Sequence, residues 1–307
     1  MRKLTVMYAM LALYILVACG AEETKEAAFP PPLEVFDGGL YIGDEIDDIA
    51  TYEKETDIFY LPEEIEAQAT DIDVADESEY VEAEVDMPEF RYVNVPILMY
   101  HTSSEYNPGA LAELYVRPSE FERQMLHLID RGFTFVTFDD WHYLYRIERP
   151  VMVTFDDGYL ANYTEIFPIL QRHNITIVLF LTLSSLREYG LTEQMVRTMS
   201  ESGLVVVESH TMTHADLAVI SGNESRLRYE LGESRRLIEE LTGRRPVALA
   251  YPAGSFNEIV LEWTAYYYDF GVRHMLGMHN TEFCIFEIRR IRISRSTGFN
   301  AFVGLVG

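Results

Sequence analysis

Cysteine is nearly absent from this chain, which holds only Cys19 and Cys284 in 307 residues. That excludes a disulfide framework and a cysteine-rich structural zinc site. Basic residues are scarce as well, with 24 Lys and Arg against 50 Asp and Glu for a net charge of −26. Such a balance argues against nucleic acid as the natural ligand. Long apolar runs are also missing. The run from Leu4 to Val17 is short for a membrane span of about 20 residues. What is present is chain enough for one large domain or two small ones.

The charge is unevenly spread. Residues 20–90 hold 24 acids against Lys25 and Lys54, a net of −22, and the rest of the chain is close to an ordinary globular balance. Ahead of this segment, Arg2 and Lys3 precede the Leu4–Val17 run and then Leu16-Val17-Ala18-Cys19-Gly20. A basic start, a short apolar stretch and small residues at a cleavage point make a secretory signal. The Leu-x-Ala-Cys setting resembles the lipobox of bacterial lipoproteins, in which the cysteine is acylated and becomes the first residue. Acylation of Cys19 would anchor the chain to a membrane. It would leave Cys284, between Phe283 and Ile285, as a packed thiol. The organisation expected is a signal over residues 1–19, an acidic and largely disordered tether over 20–90, and one folded domain over 91–307.

Within 91–307 apolar strands alternate with amphipathic helices. Strands are expected at Val95–His101, Phe133–Phe138, Val151–Phe155, Thr176–Leu181, Leu204–Val207, Val247–Ala250 and Ile288–Ile293, with a further apolar stretch at His274–Met278. Helices are expected from Ser119 as cap to Gly132, over Asn162–His173, from Thr192 to Gly203, over Glu224–Leu241 and Glu258–Tyr268, and near Phe299. This alternation with short connections is an α/β fold on a parallel sheet, open or closed into a barrel.

Two stretches carry the chemistry. Val151-Met152-Val153-Thr154-Phe155 ends in Asp156-Asp157-Gly158, placing two carboxylates at the carboxyl end of a buried strand, where α/β folds collect their functional groups. Strand Leu204–Val207 is followed by Glu208-Ser209-His210-Thr211-Met212-Thr213-His214. Two imidazoles four apart, on a helical turn or a tight loop, with one carboxylate make a familiar shell for a catalytic divalent metal. A look-alike at Phe135–Asp140 has Trp141 where the glycine would stand and no assigned partner.

Thr154–Gly158 and Ser209–His214 together resemble the first two motifs of the polysaccharide deacetylases, the NodB-like domain of carbohydrate esterase family 4. Pro96–His101, Leu241–Arg244, Ala250–Asn257 and Arg290–Ile293 are similar to stretches of the branch that acts on extracellular poly-N-acetylglucosamine. The likeness runs from about Val95 to Val306. It implies a distorted (β/α)7 barrel, circularly permuted, and metal-dependent removal of acetyl groups from N-acetylglucosamine units of a surface polysaccharide. It further implies Asp157, His210 and His214 as ligands of one divalent ion (zinc first, with cobalt, nickel or iron as alternatives), Asp156 as general base, and His101 as the acid serving the leaving amine. One backbone N–H of the loop Tyr251-Pro252-Ala253-Gly254 would face the oxyanion. Two departures from the family pattern stand out. Ala253 replaces an aromatic, and Ala250 stands where many relatives carry an arginine, so Arg290 is assigned to orient Asp156.

The expectation is thus a monomeric enzyme, lipid-anchored on the outer face of a bacterial membrane or secreted. Two other readings use the same residues: an esterase removing O-acetyl groups from xylan or a wall polymer, and a non-catalytic lipoprotein that binds glycan or metal. His127, His142, His173, His274 and His279 fall in no motif and read as structural or surface residues.

Overall fold

The computed structural model describes residues 91–106, 109, 111–188 and 190–307. The signal, the lipobox Cys19 and the acidic tether lie outside the described residues. Among the described residues no helix is long and apolar enough to cross a membrane.

Seven strands form the continuous path of the central sheet: β1 Ile97–Tyr100, β2 Pro150–Asp157, β3 Ile177–Leu181, β4 Val205–Ser209, β5 Ala248–Ala250, β6 Phe270–Val272 and β7 Ile291–Arg292, with the two-residue strand Thr134–Phe135 paired to the start of β2 off that path. They run in the order β6-β5-β4-β3-β2-β1-β7, and every pair is parallel. The last segment closes the circle. Ile288 bridges Val272 of β6 in parallel, with the Ile288 N–H donating to Gly271 O and the Arg273 N–H to Ile288 O, both at 2.9 Å. Three residues on, Ile291 pairs with Leu98 of β1. The result is the expected seven-stranded (β/α) barrel, irregular at its seam. Its first strand lies beside its last, which is the arrangement a permuted chain requires.

The central strands are apolar throughout because both of their faces are covered. Alternate residues separate into two clusters. Leu98, Val153, Phe155, Leu179 and Val207 pack with side chains of the outer helices, among them Phe121, Leu170, Val196 and Phe302. Ile97, Met152, Val178, Phe180 and Ala250 pack with one another and with Phe138, Trp141 and Leu144 of a short helical stretch. The second set therefore faces the barrel interior. Each fully buried aliphatic side chain contributes roughly 1.5–3 kcal/mol, so the sheet is held from both sides. The covering helices are α1 Pro118–Asp130, α2 Phe167–His173, α3 Glu193–Glu201, the long α4, α5 Glu258–Tyr267 and α6 Phe299–Val306. Helix α4 runs through Glu224–Leu227, a π-type stretch Arg228–Glu233 and Ser234–Thr242, and stops at Gly243 in the left-handed conformation.

Several local expectations are corrected. Ser119 does not cap α1: Pro118 opens the helix, and the Ser119 N–H is taken by Glu105 Oε1 at 3.0 Å. The strand expected over Phe133–Phe138 is only Thr134–Phe135. Thr137 and Asp140 form a capping box there, and Phe138–Arg146 turns into a 3₁₀ helix. The apolar stretch at His274–Met278, expected to complete the alternation, is not a strand; the strand lies just before it at Phe270–Val272 and pairs with β5. Cys284 is half-buried and is not a free thiol, which corrects the packed thiol expected.

Candidate active site

Strand β2 delivers its two terminal carboxylates in different directions. Met152, Thr154 and Asp156 alternate onto the interior face, where Asp156 is 2% exposed. There Arg290, itself 1% exposed, donates Nη1 to Asp156 Oδ1 at 2.6 Å and Nη2 to Oδ2 at 2.8 Å. Nη1 also reaches Thr154 Oγ1 at 3.2 Å, and the guanidinium carbon lies 5.2 Å from the centre of the Phe180 ring. Burial by itself raises the Asp156 pKa, but the Arg290 charge, His210 and the Arg290 hydrogen bonds override it and bring it down to about 2. Asp156 is therefore an anion at neutral pH, and Arg290 sits where the sequence reading placed it.

Asp157 leaves the strand at φ +76° and Gly158 follows at φ +86°. Two successive left-handed residues turn the chain sharply, at a cost for the aspartate of roughly 1 kcal/mol. A Cβ on Gly158 would come within 2.5 Å of Leu181 Cδ1, so glycine is required by space as well as by φ. The two histidines follow β4 on a loop, the second of the two geometries expected. Thr211 and His214 both have positive φ. The loop is held by Thr211 N–H on Ser209 Oγ (3.2 Å) and His214 N–H on Thr211 Oγ1 (3.1 Å). His210 Nε2 and His214 Nε2 then lie 3.5 and 3.6 Å from Asp157 Oδ1.

These three residues fit a cation. Their ligand atoms lie within 4.8 Å of one another. His210 Nδ1 is 2.8 Å from Ala250 O; a carbonyl can only accept, so Nδ1 carries the proton and Nε2 presents a lone pair. Burial lowers the His210 pKa, favouring that neutral ring. Burial raises the Asp157 pKa, with Asp156 adding to the rise and His210 opposing it. Lone pairs directed at a half-buried carboxylate repel it, and a positive ion between them relieves the repulsion.

The cleft around this cluster has a volume of about 650 Å³ and is lined by His101, Asp156, Asp157, Ala253, His274 and Arg292 among others. His101 sits just past β1; burial pushes its pKa down to about 4, with Asp156 opposing and Arg290, Arg292 and His274 adding to the fall. In the Tyr251–Gly254 turn, the N–H groups of Tyr251 and Gly254 are taken by Val272 O and Tyr251 O. Pro252 has no N–H. Among the described residues that leaves Ala253, at φ +54°, as the amide of this turn available to a ligand.

Two residues were missed from sequence. His274 lines the cleft; it lies just beyond β6, and misplacing that strand hid it. Glu230 is fully buried and accepts from Thr213 N–H at 2.9 Å and Thr213 Oγ1 at 2.6 Å, fixing the residue before His214. It sits in the π-type stretch of α4, a feature that accompanies functional sites and leaves no mark in the hydrophobic pattern. His127 and His173 are structural as expected, against Phe299 and Glu122 respectively.

A family model described as polysaccharide deacetylase matches residues 145–268. The crystal structure of BC0361, a polysaccharide deacetylase from Bacillus cereus, is 30% identical and superposes with a TM-score of 0.66 over 70% of each chain. This chain belongs to the polysaccharide deacetylase family. The Bacillus subtilis (strain 168) protein YxkH, which carries the same family name, is 29% identical over 217 residues, 68% of this chain and 74% of that one. IcaB from Ammonifex degensii shares the fold at 22% identity and a TM-score of 0.60, covering 69% of this chain and 97% of its own. The chain is thus an enzyme of the deacetylase class. The family match begins at residue 145, just ahead of β2, so the strand bearing His101 precedes the family's first motif.

Proposed function

We propose that the chain hydrolyses the N-acetyl group of N-acetylglucosamine units in a cell-surface or extracellular polysaccharide, using one divalent metal ion and releasing acetate. The observation that carries this reading is the convergence of Asp157, His210 and His214 beside an Asp156 held ionised by Arg290 in an open cleft. Asp157, His210 and His214 would hold the ion, zinc being the first choice and cobalt, nickel or iron alternatives. The ion would supply Lewis acidity toward water and the acetyl oxygen. Asp156 takes a proton from the attacking water, a task suited to a carboxylate kept charged and immobile by its two hydrogen bonds to Arg290. The Ala253 N–H meets the acetyl oxygen as negative charge builds on it. His101 is neutral at rest; the building charge raises its proton affinity, so it takes up the proton that Asp156 removed from water and passes it to the departing nitrogen as the carbon–nitrogen bond breaks, leaving Asp156 again a carboxylate. The amine then leaves as the neutral or protonated glucosamine unit.

Acetate release from N-acetylglucosamine oligomers and from acetylxylan, measured with and without added divalent ions, tests the reading. Release from the first alone supports it, and release from the second alone makes the enzyme an O-acetyl esterase. Metal binding with no release from either makes the domain a glycan- or metal-binding module.

Location belongs to the same proposal. Cys19 is acylated and holds the enzyme, a monomer, on the outer face of a bacterial membrane, with residues 20–90 as the spacer. Because the chain has two cysteines, acylation of Cys19 excludes an intrachain disulfide at Cys284. Mass spectrometry of membrane-bound protein decides between them: lipid on Cys19 supports the anchor, and an oxidised cysteine pair rejects it.

A further inference from the structure

Beside the cleft lies a second hollow of about 500 Å³, and the two meet at Tyr159, the residue after Asp156-Asp157-Gly158. Its wall includes Ser103, Glu105, Tyr115, Tyr159, Thr164 and Glu165. Three observations give it the character of a binding site. Tyr115 and Tyr159 face each other with ring centres 6.4 Å apart at 54°, offering aromatic surface of the kind ligand sites use for contact. Ser103 is 3% exposed, and its Oγ is buried with no hydrogen-bond partner among the described residues. A buried hydroxyl left unpaired is unfavourable, and pairing with a ligand in the hollow would offset that. The third is charge. Glu105 and Glu165 line the hollow, and among the described residues no lysine, arginine or histidine does. Arg295 donates to the carbonyls of Ser104, Glu105 and Tyr115 and is not part of the wall.

We infer that this hollow is a subsite for a neighbouring sugar unit carrying a protonated amine. The enzyme accordingly prefers polymer already partly deacetylated, acting on an acetylated unit next to a glucosamine. The inference rests on the deacetylase reading of the adjoining cleft. Each turnover converts a neutral acetamide into a cation, and a hydroxyl-lined, aromatic and doubly acidic hollow one step from the reacting unit is matched to that product rather than to its neutral precursor. Glu165 is the informative residue. It is exposed and lies in the π-type stretch Asn162–Ile166, whereas Glu105 also holds the start of α1.

The experiment compares kcat/KM for N-acetylglucosamine tetramers that carry either no glucosamine or one glucosamine unit. The wild-type chain is expected to favour the singly deacetylated tetramer by about fivefold, the scale of an exposed carboxylate–ammonium pair, and to lose that preference at high salt. Glu165→Gln should abolish the preference while leaving turnover of the fully acetylated tetramer unchanged. Equal rates in the wild type, or a preference that survives Glu165→Gln, overturn the inference. A parallel titration with glucosamine tetramer separates this failure from that of the underlying reading. If no oligomer releases acetate, the deacetylase reading has failed, and tighter tetramer binding by the wild type than by Glu165→Gln still upholds the subsite. Equal binding by the two rejects it.

Discussion

Val-Thr-Phe-Asp-Asp occurs twice in this chain, at 136–140 and at 153–157. In the second copy all five residues are strand, Thr154 Oγ1 donates to Leu98 O, and Asp156 is sealed against Arg290. In the first copy Thr137 is the cap of a 3₁₀ helix, Asp140 Oδ2 accepts from the Thr137 N–H at 2.8 Å, and Asp139 is 58% exposed and paired with Arg244. Identical residues therefore serve as a helix cap in one place and as a charged site in the other. The residue immediately after each copy decides. Trp141 packs on Phe138 and Phe270, drawing the first copy into a helix that fills the barrel interior. Gly158 lets the second copy turn through left-handed backbone against Leu181, so its strand ends at the mouth of the cleft. Function at these aspartates is set by the flank and the distant partner, not by the pentapeptide.

The contrast can be broken most directly at the matched aspartates. Asp156→Ala should lower acetate release by a factor of about 10²–10⁴ and destabilise the fold by roughly 3–5 kcal/mol, because Arg290 is left buried and unpaired. Asp139→Ala, its counterpart, should cost no more than about 1 kcal/mol and leave turnover alone. Assays with denaturant melts of both variants check this, and similar losses in the two would erase the distinction. Acid titration sharpens the same point. The folded pKa of Asp156 is depressed from 3.8 to about 2, so its contribution is fully present above the unfolded value and fades as pH falls through the folded one. For a shift of that size it is about 2 kcal/mol. The midpoint for unfolding of metal-free protein should fall between pH 4 and about 2, and Asp156→Asn should flatten that slope. Gly158→Ala, which meets Leu181 and an unfavourable φ, should cost about 1–3 kcal/mol. At the small end, Asp140→Ala removes one arm of the capping box and should cost about 1 kcal/mol, with activity intact.

Much of this was legible because burial on both faces writes itself into composition. β2 and β4 are apolar runs that end in polar residues, and those ends located Asp156, Asp157 and His210. Short strands were harder: β6 and β7 are three and two residues long, too brief for a periodic signal, and the error at β6 concealed His274. Glu230 was illegible for another reason. Its carboxylate acts across 17 positions on Thr213, and a buried acid on a helix looks like any other until the fold brings its partner to it. The histidine loop was also ambiguous, since four-residue spacing suits a helical turn, and only the positive φ values at Thr211 and His214 settle it.

The seam between the first and last strands has a bearing on when this domain can exist at all. β1 is among the earliest parts of the domain to be synthesised, yet its partner Ile291, paired with Leu98, lies 193 positions later in the chain. A nascent chain lacking those residues has an open sheet with β1 unpaired on one side, and its Asp156 has no guanidinium, since Arg290 arrives in the same few residues. Contacts this distant in sequence are slow to form. Barrel closure and the ion pair at the site thus come into being together, once the segment around Arg290 and Ile291 has been made, and a product lacking that segment has neither.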